Sequence, residues 1–341
     1  METLLSPAQM RFDSWNAERQ RLSGHLDHLS IRNAIPYLLN YHHLTGFATG
    51  VPSDFTPHRR WSADRRRSLM GFAIERRSRR LRVKTEKQPP EGFTPVHDGC
   101  PLALYNVFWQ QSGKQFPYPR AINGTLYHWM VQLQPFGEDH FTIARKICEP
   151  QDWRPSYTTL HRRVADACAI ASLAGSLVLY NGEGAGDSIP EWYHLQSLRL
   201  PDGPLPISQA FQAAGIDGAV TRIDEPHWPL PAWRITGSAE AIAGEVTRLA
   251  KRNTEVAGDR ASESLVLFPQ DGFLVCIYVP RDRGHEWVDA FGAKLGAYEV
   301  GAGGLVYSAP DRCEMLRAGG IHFEEMWEVL RGARPEWSDE L

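Results

Sequence analysis

Between Tyr180 and Gln196 the chain reads YNGEGAGDSIPEWYHLQ, and no other stretch limits its fold so narrowly. The apolar run SLVLY that leads into it is short and reads as a buried strand ending at Asn181. Gly182, Gly184 and Gly186 then break the strand into a loop of small residues. Such a loop turns sharply and brings backbone N–H groups close to an anion. Extended character returns at Trp192 and runs to Leu200. In a strand, the period of two places Trp192, His194 and Gln196 on one face. Neutral imidazole attacks phosphorus, and a neighbouring carboxamide donates to phosphoryl oxygens without taking the proton. Loop, His194 and Gln196 together suit formation of a covalent nucleotidyl-histidine.

Around this segment the texture alternates. Thr125 to Leu133 (TLYHWMVQL) and His140 to Arg145 (HFTIAR) read as strands. Ser156 to Leu173 reads as a helix with Arg162, Arg163 and Asp166 outward, and Ser238 to Asn253 as another. Pro201 to Pro231 is rich in proline and reads as irregular. LVLFP and FLVCIYVPR then read as strands, His285 to Leu295 as a helix, and GAGGLVYSAP as a closing strand segment. The succession of strand, strand, helix and strand therefore recurs, with negligible identity between its two occurrences.

The N-terminal part to about Arg82 reads as mostly helical, with an N-cap at Ser62–Asp64 ahead of RRRSLMGFAIERRSRR. Twelve Arg and Lys lie between His58 and Lys87, against Asp64, Glu75 and Glu86. Three readings stand for this run: a solvated helix face, a phosphate-facing surface, and a nucleic-acid surface. The net charge of −3 and the lack of a recognisable nucleic-acid module weigh against the third. Five dispersed cysteines fit reduced thiols in a cytoplasmic protein, and neither a secretory leader nor a membrane span is expected.

The sixteen residues from Asn181 to Gln196 resemble one branch of the histidine-triad superfamily. That branch holds galactose-1-phosphate uridylyltransferase, diadenosine tetraphosphate phosphorylases and GDP-galactose phosphorylases. Asn181, Gly182, Gly186, Ser188, Pro190, His194 and Gln196 follow its pattern without a gap, and Glu191 stands in place of an aspartate. Gln134 to Gln151 resembles the family's strand-turn-strand segment, with His140 and Gln151 in place. VPRDRGHEW and YEVGAGGLVYSAP resemble segments that close its second half.

The resemblance implies an α+β fold of two fused histidine-triad-like halves, each an antiparallel sheet with flanking helices. The boundaries it suggests are a helical, basic extension over 1–90, a first half over 91–200 carrying the nucleophile, and a second half over 201–341. It implies a ping-pong nucleotidyltransferase with His194 as nucleophile and Gln196 supporting transfer, since hydrolase members of the superfamily carry His at that position. Asn181, Gly182, Gly184, Gly186 and Ser188 are expected around the phosphates, joined by Arg80 and Arg281. Arg76 and His285 are weaker candidates of the same kind. A phosphorylase acting on an NDP-sugar or a dinucleoside polyphosphate is the alternative, and a nucleotide-binding protein without catalysis is the second.

The family's first triad histidine is Trp192 here. In the uridylyltransferases that histidine helps bind a structural metal with a CxxC pair and the residue matching His140. Here His97, Cys100, His140 and Glu191 are the candidates left, and tetrahedral zinc wants four ligands. Structural zinc is therefore not expected. No redox cofactor is implied, and Mg²⁺ enters only as a companion of the nucleotide phosphates. The expected partner is a nucleotide or nucleotide-sugar, and a homodimer is compatible with the reading. Trp109, Trp153 and Trp233 are expected in packing rather than as stacking platforms.

Overall fold

The computed structural model describes residues 30–32, 57–59, 72–75, 118–131, 139–145, 149–153, 156–186, 190, 192–201, 203–285, 287–288, 293–307 and 323–341. The described strands begin with two short ones, β1 (Pro57–Arg59) and β2 (Phe72–Glu75). Next are β3 (Tyr118–Ile122), β4 (Thr125–Val131), β5 (Phe141–Arg145), α1 (Tyr157–Ala174), β6 (Ser176–Asn181) and β7 (His194–Arg199). They are followed by α2 (Pro206–Ala214), β8 (Val220–Ile223), β9 (Ala232–Gly237), α3 (Ala239–Ala257), β10 (Ala261–Gln270) and β11 (Phe273–Asp282). The chain closes with β12 (Trp287–Val288), β13 (Ala293–Lys294), a π-turn at Tyr298–Ala302, β14 (Gly304–Tyr307) and α4 (Phe323–Arg331).

Nine strands form one antiparallel sheet in the order β3-β4-β5-β7-β6-β10-β11-β9-β8. The run β4-β5-α1-β6-β7 lies across it as β4-β5-β7-β6, and β8-β9-α3-β10-β11 lies as β8-β9-β11-β10 from the other end. The two runs meet where β6 pairs with β10, Asn181 opposite Ser264 and Val178 opposite Leu267. Alternation sorts the sheet's side chains to two apolar layers. Tyr127, Ile143, Tyr180, Leu195, Leu265 and Tyr278 meet α1 and α3 on one face. Leu179, Leu198, Val266, Ile277 and Val279 meet α2, the π-turn and the end of α4 on the other.

The long helices carry legible ends. Ser156 caps α1 by accepting from the Thr159 N–H at 3.2 Å, and Gly175 ends it at φ 63°. Ser238 caps α3 by accepting from the Ala241 N–H at 3.2 Å. Arg162 is the one outward member of the trio read as outward on α1, for Arg163 and Asp166 are buried. Asp166 accepts from the Tyr127 hydroxyl and the Asn123 amide, at 2.7 and 3.0 Å. Arg163 donates to the carbonyls of Pro150 and Gln151 and to the Glu149 carboxylate. These partners come from other elements and satisfy polar groups that a helix pattern alone assigns to solvent.

Three further expectations are corrected. The proline-rich 201–231 stretch contains α2, because Pro206 stands in the first turn, where a missing N–H costs nothing. Residues expected as a helix over 285–295 instead contribute the hairpin β12–β13, with Trp287 opposite Lys294 and Val288 opposite Ala293. The basic helix expected after Ser62 is interrupted by β2, which pairs antiparallel with β1 and parallel with β14. Most of the 1–90 segment lies outside the described residues. Among the described residues no helix is long and apolar enough to cross a membrane.

Candidate active site

The register of the sheet puts the chemistry on the face away from α1 and α3. Gln196 lies between Thr142 of β5 and Leu179 of β6, and His194 lies beside Ala144. His194, Gln196 and Leu198 thus point the same way, as the period of two requires. Leu198 sinks into the apolar layer, Gln196 is half-buried, and His194 is 6% exposed at the sheet's polar end. His128 of β4 shares this row, separated from His194 by the small Ala144.

One hydrogen bond orients the His194 ring. Its Nδ1 lies 2.8 Å from the Trp192 carbonyl oxygen. A carbonyl only accepts, so Nδ1 carries the proton and Nε2 carries the lone pair. Burial lowers the imidazole's pKa below its ordinary value, outweighing the opposing effect of the Trp192 carbonyl. Burial thus favours the neutral ring. Trp192 itself is buried, its indole N–H donating to the Arg145 carbonyl at 2.9 Å. An indole N–H used in this way fastens the entry of β7 to the end of β5.

Gln151 forms the second constraint, and it has no exposure to solvent. Its carboxamide accepts from the His194 N–H at 2.9 Å and donates to the carbonyls of Asn181 at 2.8 Å and His194 at 3.2 Å. Its own backbone is held as well. The Gln151 N–H donates to Pro190 at 2.7 Å, and the Gln151 carbonyl accepts from the Tyr180 hydroxyl and the Arg163 guanidinium. Sequence comparison marks Gln151 only as a matching letter, because its partners lie 30 and 43 residues away.

Asn181 and the glycines lie where the two strand runs meet. The Asn181 Oδ1 accepts from the Ala297 N–H at 2.6 Å, just ahead of the π-turn, while the Gly296 N–H donates to Glu299 at 2.8 Å. The loop is stitched to β10 and to the turn after β11. Gly182 donates to the Glu263 carbonyl at 2.8 Å, Ser262 to the Glu183 carbonyl at 2.9 Å, and Gly284 to the Gly184 carbonyl at 2.9 Å. Glycine is required here by closeness: at Gly186, with φ +106°, a Cβ would stand 2.5 Å from the Gly296 Cα.

Arg281, expected near the phosphates, lies against the glycine loop. It is fully buried, and its guanidinium donates to the Ser264 hydroxyl at 3.2 Å and to the carbonyls of Ala185, His285 and Leu295. It brackets the glycine loop from inside the protein. His285 is exposed and lies 3.2 Å from Asp282. His140 is buried at the start of β5. Trp153 and Trp233 belong to the core, as expected, with the Trp153 indole donating to Glu263. Ser188, Glu191, Arg76, Arg80, His97, Cys100 and Trp109 lie outside the described residues.

No family model matches the chain, and no curated protein does. Among solved structures it is similar to yeast Ap4A phosphorylase Apa2 in complex with Ap4A, at 12% identity and TM-score 0.55. That alignment covers 89% of this chain and 98% of the other. A second structure of the yeast enzyme aligns at 13% identity and TM-score 0.49, over 62% of this chain and 76% of the other. A third, with AMP, aligns at 15% identity and TM-score 0.47, over 63% and 75%. The likeness at TM-score 0.55 is one of fold.

Proposed function

We propose that the chain is a nucleotidyl-transferring enzyme that works through a covalent nucleotidyl-His194 intermediate. The observation that supports this most is the Nδ1···O contact between His194 and Trp192, which directs a neutral Nε2 onto the sheet face shared with Gln196 and Asn181. The repeated strand order supports reading the chain as two fused histidine-triad-like halves, the first carrying the nucleophile.

In the first step the Nε2 lone pair forms a bond to the α-phosphorus, and the bond to the bridging oxygen breaks. The leaving phosphate keeps that electron pair. The imidazole becomes cationic, and its Nδ1–H, now more acidic, stays on the Trp192 carbonyl. Gln196 and the Asn181 amide donate to the phosphoryl oxygens. In the second step an oxygen of the acceptor attacks the same phosphorus, and the P–N bond breaks to return neutral His194. Gln196 has no base with which to activate water, so a phosphate-bearing acceptor is used instead. Mg²⁺, where used, would neutralise the polyphosphate of the substrate.

The substrate class to test first is a dinucleoside polyphosphate with inorganic phosphate as acceptor, because the fold is shared with an Ap4A phosphorylase. Phosphorolysis of that substrate releases a nucleoside diphosphate and a nucleoside polyphosphate. Product analysis with Ap4A and phosphate, beside a panel of NDP-sugars with sugar phosphates, tests the reading. Diphosphate product that depends on His194 supports it. No product and no adduct from any of these substrates contradicts it and leaves the non-catalytic nucleotide-binding alternative.

A further inference from the structure

The pairing of β6 with β7 stops at Leu179 opposite Gln196, although two residues further the same register would bring Asn181 opposite His194. The carboxamide of Gln151 occupies that rung. In an antiparallel ladder, His194 would exchange its N–H and C=O with a strand partner. Here the His194 N–H goes to Gln151 Oε1, and Gln151 Nε2 serves the carbonyls of both His194 and Asn181. The amide therefore stands in for a peptide group, with all three of its hydrogen bonds made to the two residues it separates.

We propose that Gln151 is a positioning residue for the nucleophile, a wedge that parts the ends of β6 and β7 and fixes the backbone from which the His194 ring projects. This rests on the reading of His194 as nucleophile. Two neighbouring side chains on one sheet face would crowd each other across a closed rung. Opened by an amide, the same two residues stand apart, Asn181 drawn to Ala297 and His194 to Trp192. The space between them is where a phosphoryl group meets both. The wedge is rigid because Gln151 is buried and its backbone is tied to Pro190, Tyr180 and Arg163.

Three readouts test the wedge. In the wild-type protein, hydrogen bonding from His194 to Gln151 gives an NMR scalar coupling between the His194 amide nitrogen and the Gln151 carboxamide carbon. Absence of that coupling overturns the proposal whether or not any variant folds. Gln151→Glu keeps the shape and removes both donors, and Gln151→Met removes all polar atoms. The ¹⁵N signals of the His194 ring, assigned with His194→Asn, are expected to leave the single Nδ1–H tautomer in both variants. The rate of adduct formation is expected to fall roughly 10- to 100-fold, the size of a small misplacement, with nucleotide Kd within about threefold. Wild-type ring signals and a wild-type adduct rate in folded variants overturn the proposal. If the wild type forms no adduct, the proposed function fails, while the coupling and the ring signals still decide the role of Gln151.

Discussion

The Nδ1 of His194 lies 2.8 Å from the backbone oxygen of Trp192, two residues before it. The bond uses the backbone of position 192 and not its side chain. The orientation of His194 therefore does not depend on which side chain stands at position 192. The indole has its own partner, the Arg145 carbonyl at 2.9 Å, and so ties β7 to β5.

This arrangement sets a pH dependence. The folded His194 has a pKa lowered by burial, and in the proposed mechanism only its unprotonated form attacks. Activity is present above that lowered pKa and is lost as pH falls through it. The acid limb of kcat/KM is expected below the ordinary histidine value of 6.5. A limb at or above that value, assigned to His194 by its loss in a variant with residual activity, would contradict the buried, neutral ring.

Gln196→His supplies an imidazole able to handle the protons of water attack. The ratio of free nucleoside monophosphate to transferred product is expected to rise. An equal or lower ratio goes against a role for Gln196 in separating transfer from hydrolysis.

Arg281→Met removes donors from the carbonyls of Ala185, His285 and Leu295 while the cavity stays buried. Leaving such acceptors without donors is expected to cost about 3 kcal/mol of folding stability. Denaturant unfolding measures it. A variant of wild-type stability with a raised KM would return Arg281 to the substrate.

Gly186→Ala forces a Cβ against the Gly296 backbone at a φ that L-residues avoid. The expected loss is about 2 kcal/mol, seen as a lower unfolding midpoint. An unchanged midpoint would show that the loop and the segment before the π-turn are not packed as described.

Much of this was readable beforehand where the signal is local. Ser156 and Ser238 announce α1 and α3, β-branched and aromatic content announces β4 and β5, a short apolar run announces β6, and the spacing of His194 and Gln196 puts both on one face. What the sequence hid is long-range. Arg163 reads as an outward helix residue until the carbonyls of Pro150 and Gln151 are brought to it. The backbone acceptors around Arg281 come from three separate positions, Ala185, His285 and Leu295, that no local pattern brings to it. Gln151 carries no local pattern at all, because its meaning lies in a rung missing from a ladder formed by other residues. Trp287 and Val288 fall in a segment that reads as helix from the sequence, and their pairing with Lys294 and Ala293 makes it a strand pair.

The covalent step is open to one direct measurement. Intact mass after rapid acid-free quench of protein mixed with Ap4A or an NDP-sugar, without acceptor, is expected to show one added nucleotidyl group, mapped by peptide analysis to His194. His194→Asn should bind nucleotide, show no adduct, and lose about four orders of magnitude or more in turnover. An adduct on another residue, or turnover of His194→Asn at the wild-type rate, would contradict the account.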